Sequence, residues 1–383
     1  MAYRSESLEA FKGWLSEHGG RFNTSVQLAE GAFGISAIAQ ETVPADTTIV
    51  SCPFSLAITR DVALRAIVVL MGEVSQAGSI LEDWSERQLI CSYVCFHWLF
   101  PETSLPDVLQ HLPYLKTLPS SEKLMTPLHF SPSELEAFKG SNIYGASIDR
   151  EGQWRSEWTK CRDVIQKANR AWSTLFTWEH YLTASTYLSS RAFPSTLLSK
   201  NPSLEATPLS YPILLPGVDS LNHARGQPIS WLVSHEGSTC PPEPSISLVT
   251  RRTTPAGHEI YNNYGPKPNS ELILGYGFSL PQNPDDTILL RIGGSSNKWE
   301  IGRNARGAEG LWAEIVSLVA QDHAEPTFED DLDAVGALSD MVETMMNHLP
   351  HVPSDDVEDH LIRPAVKLML EHYVEGWREA RSL

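Results

Sequence analysis

The feature that most limits what this chain can fold into is the order of its textures. Short β-rich runs come first, a long helical stretch follows, short β-rich runs return, and a helical tail closes the sequence. Between residues 26 and 59 the runs ISAIA and TTIVSCPFSLAIT are separated by turn residues such as Pro44-Ala45-Asp46. From about residue 61 to 191 the spacing is helical, with rings at Tyr93, Phe96, His97 and Phe100 and later at Trp154, Trp158 and Trp172. β texture returns at residues 211–215, 229–233, 246–250 and 259–264, with Pro241-Pro242-Glu243-Pro244 marking a loop. An opening helix over residues 7–17 sets Leu8, Phe11, Trp14 and Leu15 on one face and stops at Gly19-Gly20. After about Gly307 a helix sets Leu311, Ile315 and Leu318 on one face, an acidic break covers 329–333, and a last helix spans about 364–380. Strands split by a helical insert do not alternate as βαβαβ, so a doubly wound nucleotide fold is excluded and the class is α+β.

Charge narrows the partners. Lysine plus arginine number 29 against 47 aspartates and glutamates, a formal net charge of −18. Such a surface argues against a phosphate backbone and accommodates a basic partner. The 5 cysteines are too scattered for a disulfide framework, which points to a reducing compartment. The start MAYRSESLEAFKGWLSEHGG has no apolar h-region, and no apolar run approaches the roughly 18 to 20 residues that span a bilayer. The expectation is a soluble, intracellular, cytoplasmic or nuclear protein and a monomer.

Several chemistries lack their motif. GGSSNK at 293–298 misses the residues a phosphate-cradling loop requires, and no G-x-S-x-G or H-E-x-x-H occurs. Cys91-x3-Cys95 beside His97 has no second pair and reads as buried core, so no metal is expected. Two segments remain. ILLPGVDSLNHARG (213–226) puts Asp219, Asn222 and His223 after an apolar strand, where an Asx-type turn is the plain alternative. PAGHEIYNNYGPKPNSELILGYGF (255–278) runs from a turn through a strand to Tyr264-Gly265, then into a helix capped near Asn269 or Ser270, then to Tyr276-Gly277-Phe278. Its plain alternative is a strand, turn and helix with core tyrosines.

Taken together the segments resemble the SET-domain methyltransferases, in the subgroup typified by the Rubisco large-subunit lysine methyltransferase. The family's D-x-x-N-H is matched by Asp219-Ser-Leu-Asn222-His223. Its G-E-x-[IV]-x-x-x-Y-G is matched by Gly257-His-Glu-Ile-Tyr-Asn-Asn-Tyr264-Gly, and its S-N-A-E-L-x-x-x-Y-G-F by Asn269-Ser-Glu-Leu-Ile-Leu-Gly-Tyr276-Gly-Phe278. Ser190-Arg191-Ala192-Phe193 resembles S-R-A-F, and GAFGISAIA resembles the opening G-x-G-[LI]-x-A, with one more residue between Glu30 and Gly34 than the family has. The resemblance runs from residue 1 to about 290. It implies a SET catalytic domain over 1–303, made of small sheets with a pseudoknot and a large helical insertion at about 61–189, and a C-terminal helical domain over 304–383 that is a shortened version of the family's substrate-binding domain.

The resemblance further implies S-adenosyl-L-methionine as cofactor. Ala32, Phe33, Ser190, Arg191, Asp219, Asn222, His223, Tyr264 and Phe278 are its expected contacts, Tyr264 aligns the attacking amine, and Phe193 with Tyr276 walls a lysine channel. The implied activity is protein-lysine N-methylation of a non-histone protein, ribosomal or translational in type, with no metal and no nucleic acid. Phe193 favours lysine, since the related actin histidine methyltransferase carries asparagine there. A SET-fold enzyme acting on a small molecule and a non-catalytic peptide-binding SET module are the alternatives. Closure of the channel would mark the first, and silence in a cofactor titration the second.

Overall fold

The computed structural model describes residues 2–31, 34–72, 81–234, 243–320, 326–352 and 361–380. Its strands in chain order are β1 (Arg21–Phe22), β2 (Val26–Gly31), β3 (Gly34–Ala39), β4 (Thr47–Pro53), β5 (Phe193–Pro194), β6 (Pro212–Ile213), β7 (Ile229–Ser234), β8 (Ser245–Thr250), β9 (Thr287–Leu290) and β10 (Trp299–Gly302). Its helices are α1 (Ala2–Glu17), α2 (Arg60–Met71), α3 (Glu86–Phe96), α4 (Leu112–Leu115), α5 (Pro132–Glu136), α6 (Asn142–Ala168), α7 (Arg170–Leu175), α8 (Trp178–Arg191), α9 (Asn269–Tyr276), α10 (Glu309–Val319), α11 (Phe328–Asn347) and α12 (Pro364–Ala380). The chain divides into two units, residues 1–124 with 152–265 and residues 125–151 with 266–383.

The first unit holds three small sheets: a four-stranded one in the order β1-β4-β8-β7, the β2-β3 hairpin and the β5-β6 pair. Every pairing within these sheets is antiparallel. β4 is a central strand, and Ile49 through Pro53 are buried without alternation. A strand covered on both faces loses the in-out alternation, and here Ser51 is buried along with Ile49, Val50 and Cys52. β2 keeps a simple alternation, with Val26 and Leu28 inward. α1 sends Leu8, Phe11, Trp14 and Leu15 into the same core, as its spacing predicts, and each such side chain contributes about 1.5–3 kcal/mol. Cys91 and Cys95 on α3 are fully buried, and burial pushes both thiols up. Among the described residues no His, Cys, Asp or Glu group is placed to hold a metal, and no helix is long and apolar enough to cross a membrane.

The second unit packs α10, α11 and α12 with the β9-β10 hairpin around Phe138, Ile143, Ile288, Leu311, Val366, Leu370 and Tyr373. Three sequence expectations change here. Residues 329–333 form no break: they are the first turn and a half of α11, started by a capping box between Thr327 and Asp330. Acidic side chains at a helix N-terminus are favourable against its dipole. Leu318 is 52% exposed, because α10 turns Leu311, Ile315 and Val316 inward instead. α9 starts after Pro268 with no side-chain cap, and the Asn269 amide donates to Leu280 O (2.9 Å) and Asp286 Oδ2 (3.1 Å). Arg363 forks onto Glu134, with Nε to Oε1 at 2.7 Å and Nη2 to Oε2 at 2.8 Å. Burial alone would raise this carboxyl, but the Arg363 hydrogen bonds hold it below its ordinary value.

Candidate active site

α8 delivers Arg191. The helix begins at Thr177, whose side chain accepts from His180 N. It ends at Arg191, where Ala192 turns extended with ψ of 149°, and Phe193, the residue before Pro194, is held out of the α region as well. Asp219 arrives from the other side on a short turn, Val218–Ser220. That turn needs Gly217, whose φ is +84° and where a Cβ would sit 3.2 Å from the Phe22 ring.

The two meet in a buried polar cluster. Tyr114, on α4, donates its hydroxyl to Asp219 Oδ2 at 2.6 Å. Arg191 Nη1 donates to Asp219 O at 3.1 Å and lies 3.5 Å from Oδ2. Asp219 Oδ1 is buried with no hydrogen-bond partner among the described residues. Burial raises the Asp219 carboxyl above its ordinary value, while Arg191 and the Tyr114 hydroxyl pull the other way. Burial is the largest influence on the Arg191 guanidinium and pulls it down, but Asp219 together with Tyr114, Tyr264 and Tyr187 outweighs it, and the group is held above its ordinary value. Gly34, at the mouth of the β2-β3 turn with φ of +123°, leaves room beside Arg191: a Cβ there would stand 4.0 Å from Nη2 and 3.3 Å from Pro119.

Beside this cluster the two motif segments run along each other. Asn262 N donates to Asn222 O (2.8 Å) and Ala224 N to Asn262 O (2.9 Å), a parallel bridge between His223 and Asn262. The second segment also lies along β3, with Ile260 N donating to Ala37 O at 2.7 Å. Asn222 binds the arrangement together, its amide donating to Ile35 O (3.2 Å), Ser36 Oγ (3.1 Å) and Glu259 Oε1 (2.7 Å). The rings of His223 and Tyr264 stack at 5.1 Å, and Tyr264 N donates to His223 Nδ1 at 3.0 Å. The Tyr264 hydroxyl donates to Leu221 O at 2.9 Å, two residues from Asp219. Phe193, on β5, sets its ring 5.1 Å from that of Trp231 on β7, both half-buried.

Of the residues singled out in the sequence, Arg191, Asp219, Asn222, His223 and Tyr264 are thus brought together in the first unit. Ser190 precedes Arg191 and spends its hydroxyl on Thr186 O at 2.7 Å. Ala32 and Phe33 lie outside the described residues. Tyr276 and Phe278 belong to the second unit, at the C-terminal end of α9, with ring centroids 6.2 Å apart. Sequence reasoning missed Tyr114, Glu259 and Trp231 as partners. Glu259 sat in view inside G-H-E-I, and Trp231 lay in a strand already recognised, but nothing local marks Tyr114.

No protein-family model matches the chain. Among characterised proteins it is 32% identical over 256 residues to the ribosomal lysine N-methyltransferase set10 of Schizosaccharomyces pombe, covering 67% of this chain and 42% of that one. This chain therefore spans less than half of that relative. Among solved structures it is similar to the SET domain of LSMT bound to lysine and AdoHcy, with a TM-score of 0.70 at 16% identity over 99% of this chain and 89% of that one. It is equally similar to Rubisco LSMT bound to AdoMet, with a TM-score of 0.70 at 17% identity over 98% and 90% of the two chains. At such identities the likeness shows the fold.

Proposed function

We infer that this chain, which has the SET-domain fold and is homologous to lysine methyltransferases, transfers a methyl group from S-adenosylmethionine to a lysine ε-amine of a protein. The observation that carries the reading is the buried pair of Arg191 and Asp219 set against the crossing of residues 222–224 with 260–264. A guanidinium suits the carboxylate of an amino-acid zwitterion, and a buried carboxylate oxygen without a partner suits its ammonium, so Arg191 and Asp219 Oδ1 fit the methionine end of that cofactor. Ser190, Asn222, His223 and Tyr264, and by resemblance Ala32, Phe33 and Phe278, complete the proposed holding set. The cofactor supplies, when bound, a methyl group on a sulfonium.

This chain's own residues do the positioning. At pH 7 only about one free lysine in 2,500 is neutral, and only the neutral amine attacks. Phe193 and Trp231 offer an apolar aromatic wall at which an amine loses its proton more readily, since burial disfavours the charged form. Tyr276 is assigned to the same channel by resemblance. Tyr264, anchored by its stack on His223 and its bond to Leu221 O, is the group that aligns the amine. A ribosomal or translation protein in the cytoplasm or nucleus is the substrate class we favour, supported by the relative named above and by the net charge of −18. The enzyme acts as a monomer, without metal or nucleic acid.

The test incubates the protein with labelled cofactor and fractionated cell extract, then maps the modified residue by mass spectrometry. Tyr264→Phe should lose turnover on the order of a hundredfold while keeping cofactor affinity. Wild-type turnover in that variant would remove Tyr264 from the alignment role. A calorimetric titration that stays silent would favour a binding module over an enzyme.

A further inference from the structure

The crossing of the two motif segments is fastened by one carboxylate. Glu259 stands in Gly257-His-Glu-Ile at the position that G-E-x-[IV] leaves open. His258, at the glutamate position of that pattern, is exposed and turns its ring to Ala256 O at 3.2 Å. The backbone on either side of Glu259 is bound to β3. Ala39 N donates to His258 O (2.9 Å) and Ile260 N to Ala37 O (2.7 Å), with Glu259 opposite Ile38. Its backbone is therefore fixed, and successive side chains along such a segment point to opposite faces. His258 goes to solvent, and Glu259, half-buried, goes to the Asn222 amide.

A carboxylate only accepts, so it decides which end of an amide faces it. Glu259 Oε1 takes the Asn222 Nδ2 group at 2.7 Å, the shortest of that amide's three bonds, against 3.1 Å to Ser36 Oγ and 3.2 Å to Ile35 O. The Tyr261 hydroxyl also hydrogen-bonds Glu259, and it is raised by burial first and then by that bond. Asn222 is thereby tied twice to the second segment, by its side chain to residue 259 and by its main chain to residue 262, whose N donates to Asn222 O at 2.8 Å. A slip of the bridge between His223 and Asn262 by one residue would break both ties, since it turns every side chain of the segment to the other face. We propose that Glu259 is a positioning residue for the cofactor, acting through Asn222 to fix the register in which residues 222 and 223 meet it. This rests on the reading of the chain as a methyltransferase. Tyr264 keeps anchors of its own on His223 Nδ1 and Leu221 O, so the effect falls on cofactor binding before it falls on turnover.

S-adenosylmethionine affinity is read by calorimetry, and cofactor KM and kcat by initial rates of label transfer to fractionated cell extract. Glu259→Ala should weaken affinity and raise cofactor KM by about tenfold, with kcat within about threefold of wild type. Glu259→Gln, whose Oε1 still accepts from Asn222, should stay within about threefold in every constant. Glu259→Asp keeps the charge but is too short to reach the amide, so it should fall with alanine, and it carries the test if circular dichroism shows the alanine variant unfolded. In the Asn222→Ala background, Glu259→Ala should add less than about twofold, because its route is already cut. A glutamine variant as weak as alanine, a kcat loss with KM unchanged, or full additivity with Asn222→Ala overturns the proposal. Wild-type protein that gives no heat with S-adenosylmethionine and transfers no label defeats the methyltransferase reading, and this proposal with it. Wild-type protein that binds and transfers while Glu259→Ala matches it defeats the positioning role alone.

Discussion

Replacing Tyr114 with phenylalanine removes one oxygen atom and tests the site at its least obvious point. The Tyr114 hydroxyl is the short donor to Asp219 Oδ2, at 2.6 Å, while Arg191 stands at 3.5 Å from the same oxygen and Oδ1 has no partner among the described residues. A hydrogen bond to a charged acceptor contributes about 1.5–3 kcal/mol, and its loss leaves a buried carboxylate poorly satisfied. The Asp219 carboxyl, already raised by burial, must rise further in the variant, because one of the groups pulling it down is gone. Below that raised value Asp219 takes up a proton and no longer orients Arg191 by charge. Cofactor affinity near neutral pH should therefore fall by about tenfold to thirtyfold, the equivalent of about 1.4–2 kcal/mol. Part of that loss should be recovered as pH rises through the raised carboxyl value. Calorimetric titration of S-adenosylmethionine across a pH series reads both effects, and Asp219→Asn in the Tyr114→Phe background should abolish the pH-dependent part. Wild-type affinity in the variant, or a loss equal at every pH, would refute the argument and leave Tyr114 a packing residue.

Phe193→Ala removes one wall of the aromatic pair with Trp231 and should lower kcat/KM for a lysine peptide by roughly tenfold to a hundredfold while leaving cofactor affinity within about twofold, measured by radiolabel transfer and calorimetry. His97 and His111 are buried and held neutral, lowered from 6.5 to about 4 and about 3 chiefly by burial. Their contribution is present above pH 6.5 and lost as pH falls towards those values, because the unfolded chain takes up protons first. Asp219 has the opposite sign, its raised carboxyl gaining on acidification, but it is one group against two. Once both unfolded imidazoles are charged, these two histidines should cost stability about 3 kcal/mol per pH unit, and His111→Asn should halve that slope in denaturant titrations. Arg363→Met strips the fork from Glu134, whose side chain is 2% exposed, and should destabilise the second unit by about 3 kcal/mol, with Glu134→Gln in the same background recovering part of it.

Much of the site was legible because its chemistry is concentrated in two short runs. Asp219, Asn222 and His223 sit in one, and Glu259 and Tyr264 in the other, so a reader of either run meets several members of the cluster at once. The α+β order was legible for a related reason, since β4 and β8 are short runs rich in Ile, Val and Thr, and α1 carries its core face at regular spacing. Tyr114 was not legible, because its partner lies 105 positions away and no periodicity links them. Residues 329–333 were misread by weighing charge alone, although Thr327 three places before Asp330 is a helix-start signature. Leu318 was misassigned because the inner face of α10 runs through Leu311, Ile315, Val316 and Val319, which leaves Leu318 at its edge.

Asn222 has a consequence for how the protein is made. Its amide reaches Ile35, 187 positions earlier, and Glu259, 37 positions later, so a single side chain closes loops that enclose most of the first unit. A nascent chain halted before Glu259 lacks the third anchor, however much of the helical stretch has already packed. Closing loops of that span is slow relative to helix formation, so the crossing around Asn222 is expected to form after the helices of its unit, which pulse-labelled hydrogen exchange during refolding would check.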